Sequence, residues 1–222
     1  MRTALVLLAA LALVTAGCGG GDDEAGGDTT TTSTTPVTEC QDVEAPDARE
    51  PGTNEAPAEE LDASLTHTLT FDTSCGTFTV TLDPAAAPKT TASLVALAES
   101  GYFDDTIFHR VVPGFVIQGG DPTQTGGGGP GYSTVDAPAS DATYPKGIVA
   151  MAKAPTEAPG TSGSQFFVVT SDAAADVLTP DYAIVGEVTD GMDTVERIDA
   201  LGVGDGPPSQ PVVVNTVTAS SS

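Results

Sequence analysis

Tryptophan is absent from this 222-residue sequence, aromatic residues make up only 5% of it, and 7 Lys and Arg residues accompany 31 Asp and Glu residues. The formal charge of −24 argues against duplex DNA, RNA and anionic lipid headgroups as partners, because phosphate binding requires clustered basic residues. Hydrophobic residues still make up 39% of the chain, which is normal for a folded protein. The scarcity of aromatic rings means that the core must be built mainly from Val, Leu, Ile and Ala.

Sequence patterns for several common kinds of site are also missing. The stretch 160–164, GTSGS, ends in Ser and follows no strand-like segment, so a hydrolase nucleophile is not expected there. The glycine run at 126–129 lacks the Lys and Ser or Thr of a phosphate-binding loop and predicts a flexible surface loop. His67 and His109 lie in strand-like stretches, where packing roles are expected. No calcium-loop pattern occurs, and we expect neither a metal ion nor a cofactor.

The N-terminus has the features of an export signal. Arg2 is followed by an uncharged apolar run at 4–14 and then by small residues up to Cys18. The run is too short for a stable membrane span. Small residues leading into a cysteine resemble a bacterial lipobox, so residues 1–17 are predicted to be a lipoprotein signal peptide and Cys18 the lipidated N-terminus. The protein would then be extracytoplasmic and lipid-anchored to the cell membrane; the alternative is a soluble secreted protein.

The segment that follows differs sharply in composition from the rest. Residues 19–66 contain 13 acidic residues and one basic residue, Arg49, and they are rich in Thr, Gly and Pro. With almost no branched apolar residues, such a segment cannot bury enough surface to offset its conformational entropy. We predict a disordered, solvated tether at residues 18–64 and a folded domain at residues 65–222.

Two cysteines remain besides the predicted lipidation site. In an exported protein such residues are more often paired than free, so a disulfide between Cys40 and Cys75 is expected. It would join the end of the tether to the first hairpin of the domain. Free thiols, one of them catalytic, are the alternative, but the oxidising compartment disfavours them.

The domain shows the pattern of short strands with two helices. Alternating apolar and polar residues at 68–72 and 77–82 predict a β-hairpin. Amphipathic patterns predict helices at 89–100 and 193–201. Further strands are predicted at 107–112, 115–117, 147–152, 166–170, 183–188 and 211–219. Seven or eight strands with two helices predict a mainly β fold, a closed antiparallel barrel with the helices capping its ends.

Arg110 stands out because the domain contains so few basic residues. It lies between apolar, strand-forming residues in the stretch FHRVV at 108–112. Strict alternation would put its side chain on the same face as Phe108 and Val112, so that the guanidinium emerges among apolar groups. These residues alone leave two roles open, a buried ion pair and a functional role.

Three longer blocks of sequence extend this local pattern. They are FHRVVPGFVIQGGD at 108–121, GIVAMA at 147–152 and GSQFF at 163–167. In order and spacing these blocks look like the cyclophilin family of peptidyl-prolyl cis/trans isomerases, and the likeness extends from about His67 to Ala219. The resemblance implies isomerase activity and a closed eight-stranded antiparallel barrel capped by two helices, which agrees with the periodicity.

The resemblance also implies roles for individual residues. Arg110 matches the family's catalytic arginine, and Gln118 matches the glutamine that holds the substrate carbonyl. The positions of the proline pocket are occupied by Phe115, Val116, Phe167, Leu178 and Tyr182. The positions of the groove for the residues preceding the proline are occupied by Ala152, Lys153, Ala154 and Gln165.

Three positions depart from the family pattern. Val177 stands where cyclosporin-sensitive members have Trp, so tight cyclosporin binding is not expected. Tyr182 replaces the usual His and remains compatible with a pocket wall. Lys153 replaces Asn at a position that contacts peptide mainly through its backbone, so we expect an altered sequence preference rather than a loss of activity.

The sequence therefore predicts a monomeric, lipid-anchored prolyl isomerase that assists the folding of exported or cell-envelope proteins. Its partners would be proline-containing polypeptide segments. Isomerisation needs no bond to a nucleophile, so Arg110 would act by stabilising the twisted prolyl amide. Two rival interpretations are a tethered peptide-binding chaperone or scaffold with little turnover, and an acidic ion-binding surface protein.

Overall fold

The computed structural model describes residues 39–222. The predicted signal peptide and the predicted lipidation site at Cys18 lie outside these residues. No helix within the described part is long and apolar enough to cross a membrane.

The strands are β1 His67–Thr73, β2 Gly76–Leu82, β3 Thr106–Ile107, β4 Arg110–Val112, β5 Val116–Gly119, β6 Thr134–Val135, β7 Ile148–Met151, β8 Thr161–Ser162, β9 Phe166–Val169, β10 Ile184–Asp190 and β11 Val213–Ser221. The α-helices are α1 Pro88–Glu99 and α2 Met192–Asp199, and a 3₁₀ helix spans Asp172–Asp176.

The predicted first hairpin is confirmed as β1 and β2. Their alternating pattern directs Leu69, Phe71, Phe78 and Val80 into the core, where each side chain is buried. Phe71 lies directly opposite Phe78 in the register, and the two rings stack with their centroids 4.7 Å apart. Such cross-strand aromatic pairs are the contacts that stabilise a sheet.

Nine strands form one antiparallel sheet in the order β3-β11-β1-β2-β10-β7-β9-β5-β4, and β6 pairs separately with β8. The predicted closed eight-stranded barrel is wrong, because the edge strands β3 and β4 are not hydrogen-bonded to each other. Only Phe108 and His109 separate these two strands in the sequence. The strand is interrupted at these two residues, so β3 pairs only with β11 and β4 only with β5. The sheet is a curled half-barrel.

Both predicted helices are present. Helix α1 begins at Pro88, where the missing N–H is tolerated in the first turn, and it buries Leu94 and Leu97 of its predicted apolar face. Helix α2 follows Gly191, which has φ of 75°, and any Cβ there would collide with the β2 backbone. Ile198 of α2 is fully buried in the core. The two helices therefore cover the sheet through the faces that their periodicity indicates.

We call residues 39–64 the strap. They are the part of the predicted disordered tether that the structure describes, and for them the prediction of disorder is corrected. The strap contains no helix or strand, as its composition predicts, yet it lies against the domain. The structure contains the expected disulfide between Cys40 and Cys75, which holds the first residues of the strap at the turn between β1 and β2. Near the other end, Leu61 packs against the core.

Hydrogen bonds fix the strap between these two ends. The backbone N–H groups of Gln41 and Arg49 donate to the carbonyls of Ser74 and Pro122, each at 2.8 Å. The Arg49 guanidinium adds a 2.6 Å bond to the carbonyl of Tyr102. Composition predicts only whether a segment can bury apolar side chains. Here the backbone donors of the strap find carbonyl acceptors in the domain, and the disulfide limits the entropy that the free chain could gain.

Candidate active site

Two neighbouring strands place Arg110 beside Gln118. The two residues are directly opposite each other in the antiparallel pair β4–β5, so their side chains share one face. Nη1 of Arg110 donates to Oε1 of Gln118 at 3.2 Å. Nε2 of Gln118 in turn donates to Oε1 of Gln165, just before β9, at 3.0 Å. Strand register thus fixes a row of three polar side chains.

An apolar cavity of about 380 Å³ opens beside Arg110. Its floor comes from Val116 of β5 and Phe167 of β9, which are both buried. The full set of lining residues is Arg110, Phe115, Val116, Gln118, Ala152, Lys153, Pro155, Phe167, Leu178 and Tyr182. The cavity suits a small apolar group that is held next to a cationic side chain.

A second layer of residues supports the aromatic wall of this pocket. Tyr182 meets Phe167 edge to face, with ring centroids 5.4 Å apart. The hydroxyl of Tyr144 donates to the carbonyl of Tyr182 at 2.8 Å and accepts its N–H at 3.1 Å. Burial raises the pKa of Tyr144, so its hydroxyl stays protonated as this donor. Tyr144 could not be identified from the sequence, because one aromatic residue in an irregular loop produces no periodic signal.

A larger cleft of about 740 Å³ adjoins the apolar pocket, and the two cavities share Gln118, Ala152, Lys153 and Pro155. Ala154 and Gln165, which were predicted to line a groove, lie in this cleft. The structure therefore brings all of the predicted substrate-contacting residues together around two adjoining cavities. The rest of the cleft is lined by residues 126–133, 157, 163 and 164, together with residue 51 of the strap.

The glycine run at 126–129 is held in place rather than being a loose loop. The buried carboxylate of Asp121 accepts the N–H groups of Thr123 and Gly126 at 2.7 Å and that of Gly128 at 3.1 Å. Burial alone would raise the pKa of Asp121, but these hydrogen bonds outweigh burial and hold that pKa below its usual value. From the other side, Nε2 of Gln165 donates to the carbonyls of Gly126 and Gly128. The loop is thus bonded to the row of side chains that ends at Arg110.

The sequence model of the family described as "Cyclophilin type peptidyl-prolyl cis-trans isomerase/CLD" matches residues 68–219. This chain belongs to that family. It is a peptidyl-prolyl cis-trans isomerase of the cyclophilin type, and the family match begins just after the strap.

Individual relatives agree with this assignment. The chain is 39% identical over 173 residues to the probable peptidyl-prolyl cis-trans isomerase A of Mycobacterium leprae. The alignment covers 69% of this chain and 92% of the Mycobacterium protein. It is 42% identical over 134 residues to peptidyl-prolyl cis-trans isomerase-like 1 of Emericella nidulans. That alignment covers 59% of this chain and 80% of the Emericella protein. A cyclophilin-type isomerase of Cryptosporidium parvum, solved in the presence of the dipeptide Ala-Pro, superposes with a TM-score of 0.63 at 32% identity. That match covers 70% of this chain and 99% of the Cryptosporidium chain.

In this isomerase Arg110 is paired with an acidic residue, Asp205, that the sequence patterns did not indicate. Nε of Arg110 donates to Oδ1 of Asp205 at 2.5 Å, and Nη2 donates to Oδ2 at 3.2 Å. The hydrogen bond from Arg110 holds the pKa of Asp205 below its usual value. Asp205 lies 95 residues further along the chain, in a loop that the 2.8 Å bond from Val111 N–H to the Gly206 carbonyl joins to β4. Its sequence context, Gly-Asp-Gly, indicates a turn and gives no hint of a partner.

The surroundings of Arg110 also differ from the predicted apolar face. Phe108 points into the main core against Phe78 and Phe166, whereas Val112 packs with the pocket cluster. Strict alternation fails here because the strand is interrupted between Phe108 and Arg110. The Arg110 side chain is 31% exposed at the mouth of the pocket, so its guanidinium is paired and partly hydrated.

Neither histidine lines the two cavities. Nε2 of His67 lies 2.8 Å from the carbonyl of Asp62, which gives that residue a structural role. His109 is buried, and neither of its ring nitrogens has a hydrogen-bond partner among the described residues. Burial lowers the pKa of His109, so the ring is neutral at pH 7. Both histidines therefore act in packing, as expected.

The two remaining departures from the family pattern lie at the rim. Lys153 donates from Nζ to the carbonyl of Glu157 at 3.1 Å and lies 5.8 Å from the centre of the Tyr182 ring. This leaves its charge at the junction of the two cavities. Val177 is 68% exposed and does not line the apolar pocket.

Proposed function

We propose that this isomerase acts by stabilising the twisted prolyl amide with the guanidinium of Arg110. Rotation about an amide bond costs about 18–20 kcal/mol because resonance is lost. As the bond twists, the lone pair localises on the prolyl nitrogen and becomes a better hydrogen-bond acceptor. A fixed cationic donor stabilises that state more than the planar ground state, which is the requirement for catalysis. No covalent intermediate is required.

The position of Arg110 at the mouth of the apolar pocket carries this proposal. A guanidinium has five N–H donors, and the contacts with Asp205 and Gln118 use three of them. One N–H on each terminal nitrogen remains for a substrate. The proline ring fits the adjoining apolar cavity, and Gln118 lies where it can bond a neighbouring carbonyl. The dipeptide Ala-Pro that accompanied the similar Cryptosporidium structure supports a proline-containing ligand.

The test is Arg110→Ala in a protease-coupled assay of a short X-Pro peptide. We expect kcat/KM to fall about a hundred- to a thousandfold, the effect of removing one charge-assisted donor to a transition state. The melting curve should stay cooperative, because Arg110 is partly exposed and outside the main core. Lys89→Ala is the matched control, since it removes one positive charge from an exposed position outside both cavities. Full activity of Arg110→Ala would contradict the mechanism, whereas a wild-type protein that binds the peptide without accelerating isomerisation would favour a binding protein with little turnover.

We further propose that the protein is exported, anchored by lipid at Cys18, and assists the folding of exported or cell-envelope proteins. The signal-like N-terminus supports this location, and a disulfide is typical of oxidising compartments outside the cytoplasm.

The location is tested by expressing the full chain with Cys18→Ser and following the protein by cell fractionation. Without the lipidated thiol we expect the protein to move from the membrane fraction to the soluble fraction. A position-matched control is Thr15→Ser, which leaves the cysteine intact. An unchanged membrane fraction for Cys18→Ser would contradict the lipid anchor.

A further inference from the structure

The strap contributes to the cleft that adjoins the proline pocket. Pro51 lines the 740 Å³ cavity, on the wall formed by the glycine-rich loop. The strap precedes the residues that the family model matches, which begin at residue 68. This part of the wall is therefore a feature of this chain added to the family's domain.

The strap and the loop approach each other through their backbones. The N–H groups of Gly52 and Asn54 donate to the carbonyls of Gly129 and Pro130, each at 2.8 Å. A Cβ on Gly52 would lie 2.9 Å from the ring of Tyr102 and 3.0 Å from Cα of Pro130, closer than ordinary contacts. Residue 52 must therefore lack a side chain for the strap to hold this position.

The bonded loop leads directly to the catalytic side chains. Gly126 and Gly128 accept both N–H groups of the Gln165 amide, and the next carbonyl, that of Gly129, accepts from the strap. Gln165 accepts from Gln118, which accepts from Arg110. Hydrogen bonds on both sides of the loop backbone thus connect the strap to the row of polar residues beside the proline pocket.

We propose that the strap is a wall of the substrate groove and makes this isomerase prefer extended segments with several residues before the proline. The inference rests on the proposed function, because it takes the proline to occupy the pocket beside Arg110. A chain leaving that pocket across Ala152 and Lys153 enters the larger cleft, since both cavities share these residues. There Pro51 offers apolar surface to the preceding residues, and the docked strap keeps the loop in a fixed geometry.

The experiment compares kcat/KM for two peptides in the full-length protein, one with a single residue before the proline and one with four. In Gly52→Val the added side chain collides with Tyr102 and Pro130, so the strap should leave the loop. We expect the ratio of extended to short peptide to fall about three- to tenfold through KM, as for the loss of a small apolar contact area. The short peptide should change less than about twofold. Ala56→Val is the control, because it enlarges an exposed strap residue that lies outside the cleft lining.

A second variant keeps the test decisive if the strap tolerates valine. Pro51→Ala removes the apolar wall while preserving the N–H of Gly52, and Pro57→Ala is its control outside the cleft. Hydrogen exchange at the amides of Gly52 and Asn54 reports whether the strap has left the loop.

An unchanged ratio in both Gly52→Val and Pro51→Ala would overturn the proposal. A rise of activity on both peptides would overturn it too, because it would mean that the strap obstructs the groove. The ratio of kcat/KM for the extended and short peptides tests only the role of the strap. The catalytic mechanism is tested separately, by the activity of Arg110→Ala.

Discussion

The two halves of the groove are built in different ways. The floor of the proline pocket comes from β5 and β9, neighbouring strands whose register puts Gln118 opposite Phe167. The larger cleft is made by loops and by residue 51 of the strap, which hydrogen bonds hold together. The sheet therefore fixes the site of the reaction, while the contacts of the loops determine how the rest of the substrate is bound. Loop contacts of this kind can change without disturbing the chemistry.

The strongest test of this difference is Phe167→Leu. Phe167 forms part of the pocket floor and packs against Tyr182, so a smaller side chain should weaken binding of the proline ring. We expect kcat/KM to fall about tenfold, the value of losing roughly half of a buried side-chain contact. The fall should be equal for short and extended peptides, because both place a proline in the same pocket.

Phe103→Leu provides the control for that experiment. It makes the same chemical change at a buried residue of the main core that lines neither cavity. It should lower the melting temperature while kcat/KM of the folded protein stays unchanged. If Phe167→Leu impaired only the extended peptide, the pocket and the cleft would not be separate binding regions.

The pocket residues were predicted from the family resemblance, and four of them, Arg110, Val116, Gln118 and Phe167, lie on strands β4, β5 and β9. In the observed register of β4 and β5, Arg110 and Gln118 face each other. Periodicity of apolar residues predicted both helices and the first hairpin. These are local patterns, and local patterns survive in the fold.

The other features depend on contacts between distant parts of the chain. The strand predicted at 107–112 is interrupted at Phe108 and His109, and its two parts form the opposite edges β3 and β4, which periodicity does not reveal. The strap is ordered by backbone bonds to loops about 75 residues away, so its composition alone suggested disorder. Asp205 reaches Arg110 from a turn that has no sequence signature for pairing.

An intermediate effect is expected when the disulfide is removed by Cys40→Ser with Cys75→Ser. The bridge closes a loop with a sequence separation of 35. Chain entropy alone then gives a loss of about 3–4 kcal/mol in the free energy of unfolding, measurable by denaturant titration. The bonds of Gly52 and Asn54 remain, so the ratio of extended to short peptide should fall less than in Gly52→Val. The wild-type protein with dithiothreitol should behave in the same way. A loss of activity on the short peptide would show that the pocket depends on the strap after all.

The smallest effect is expected for Asp205→Asn. The carboxylate is 69% exposed, and exposed ion pairs contribute little, so kcat/KM should fall less than about fivefold. The kcat/KM of both peptides should fall by the same factor, since Arg110 lines the proline pocket that both peptides use. Because the pKa of Asp205 is lowered, its ion pair is complete above about pH 4 and is lost as the pH falls through the lowered pKa. The kcat/KM of the wild-type protein should therefore fall by the same factor as the pH is lowered through this pKa, whereas that of the Asn variant should show no such fall.

Asp193→Asn is the matched control, because Asp193 is a similarly exposed partner of a different arginine, Arg197, at 2.7 Å. It should leave the kinetics of both peptides unchanged. A fall for Asp205→Asn as large as that for Arg110→Ala would mean that the carboxylate is required to hold the guanidinium in its working position. The chemistry of the pocket would then depend on a loop outside the sheet, and the division between a pocket set by strands and a cleft set by loops would fail at the catalytic residue itself.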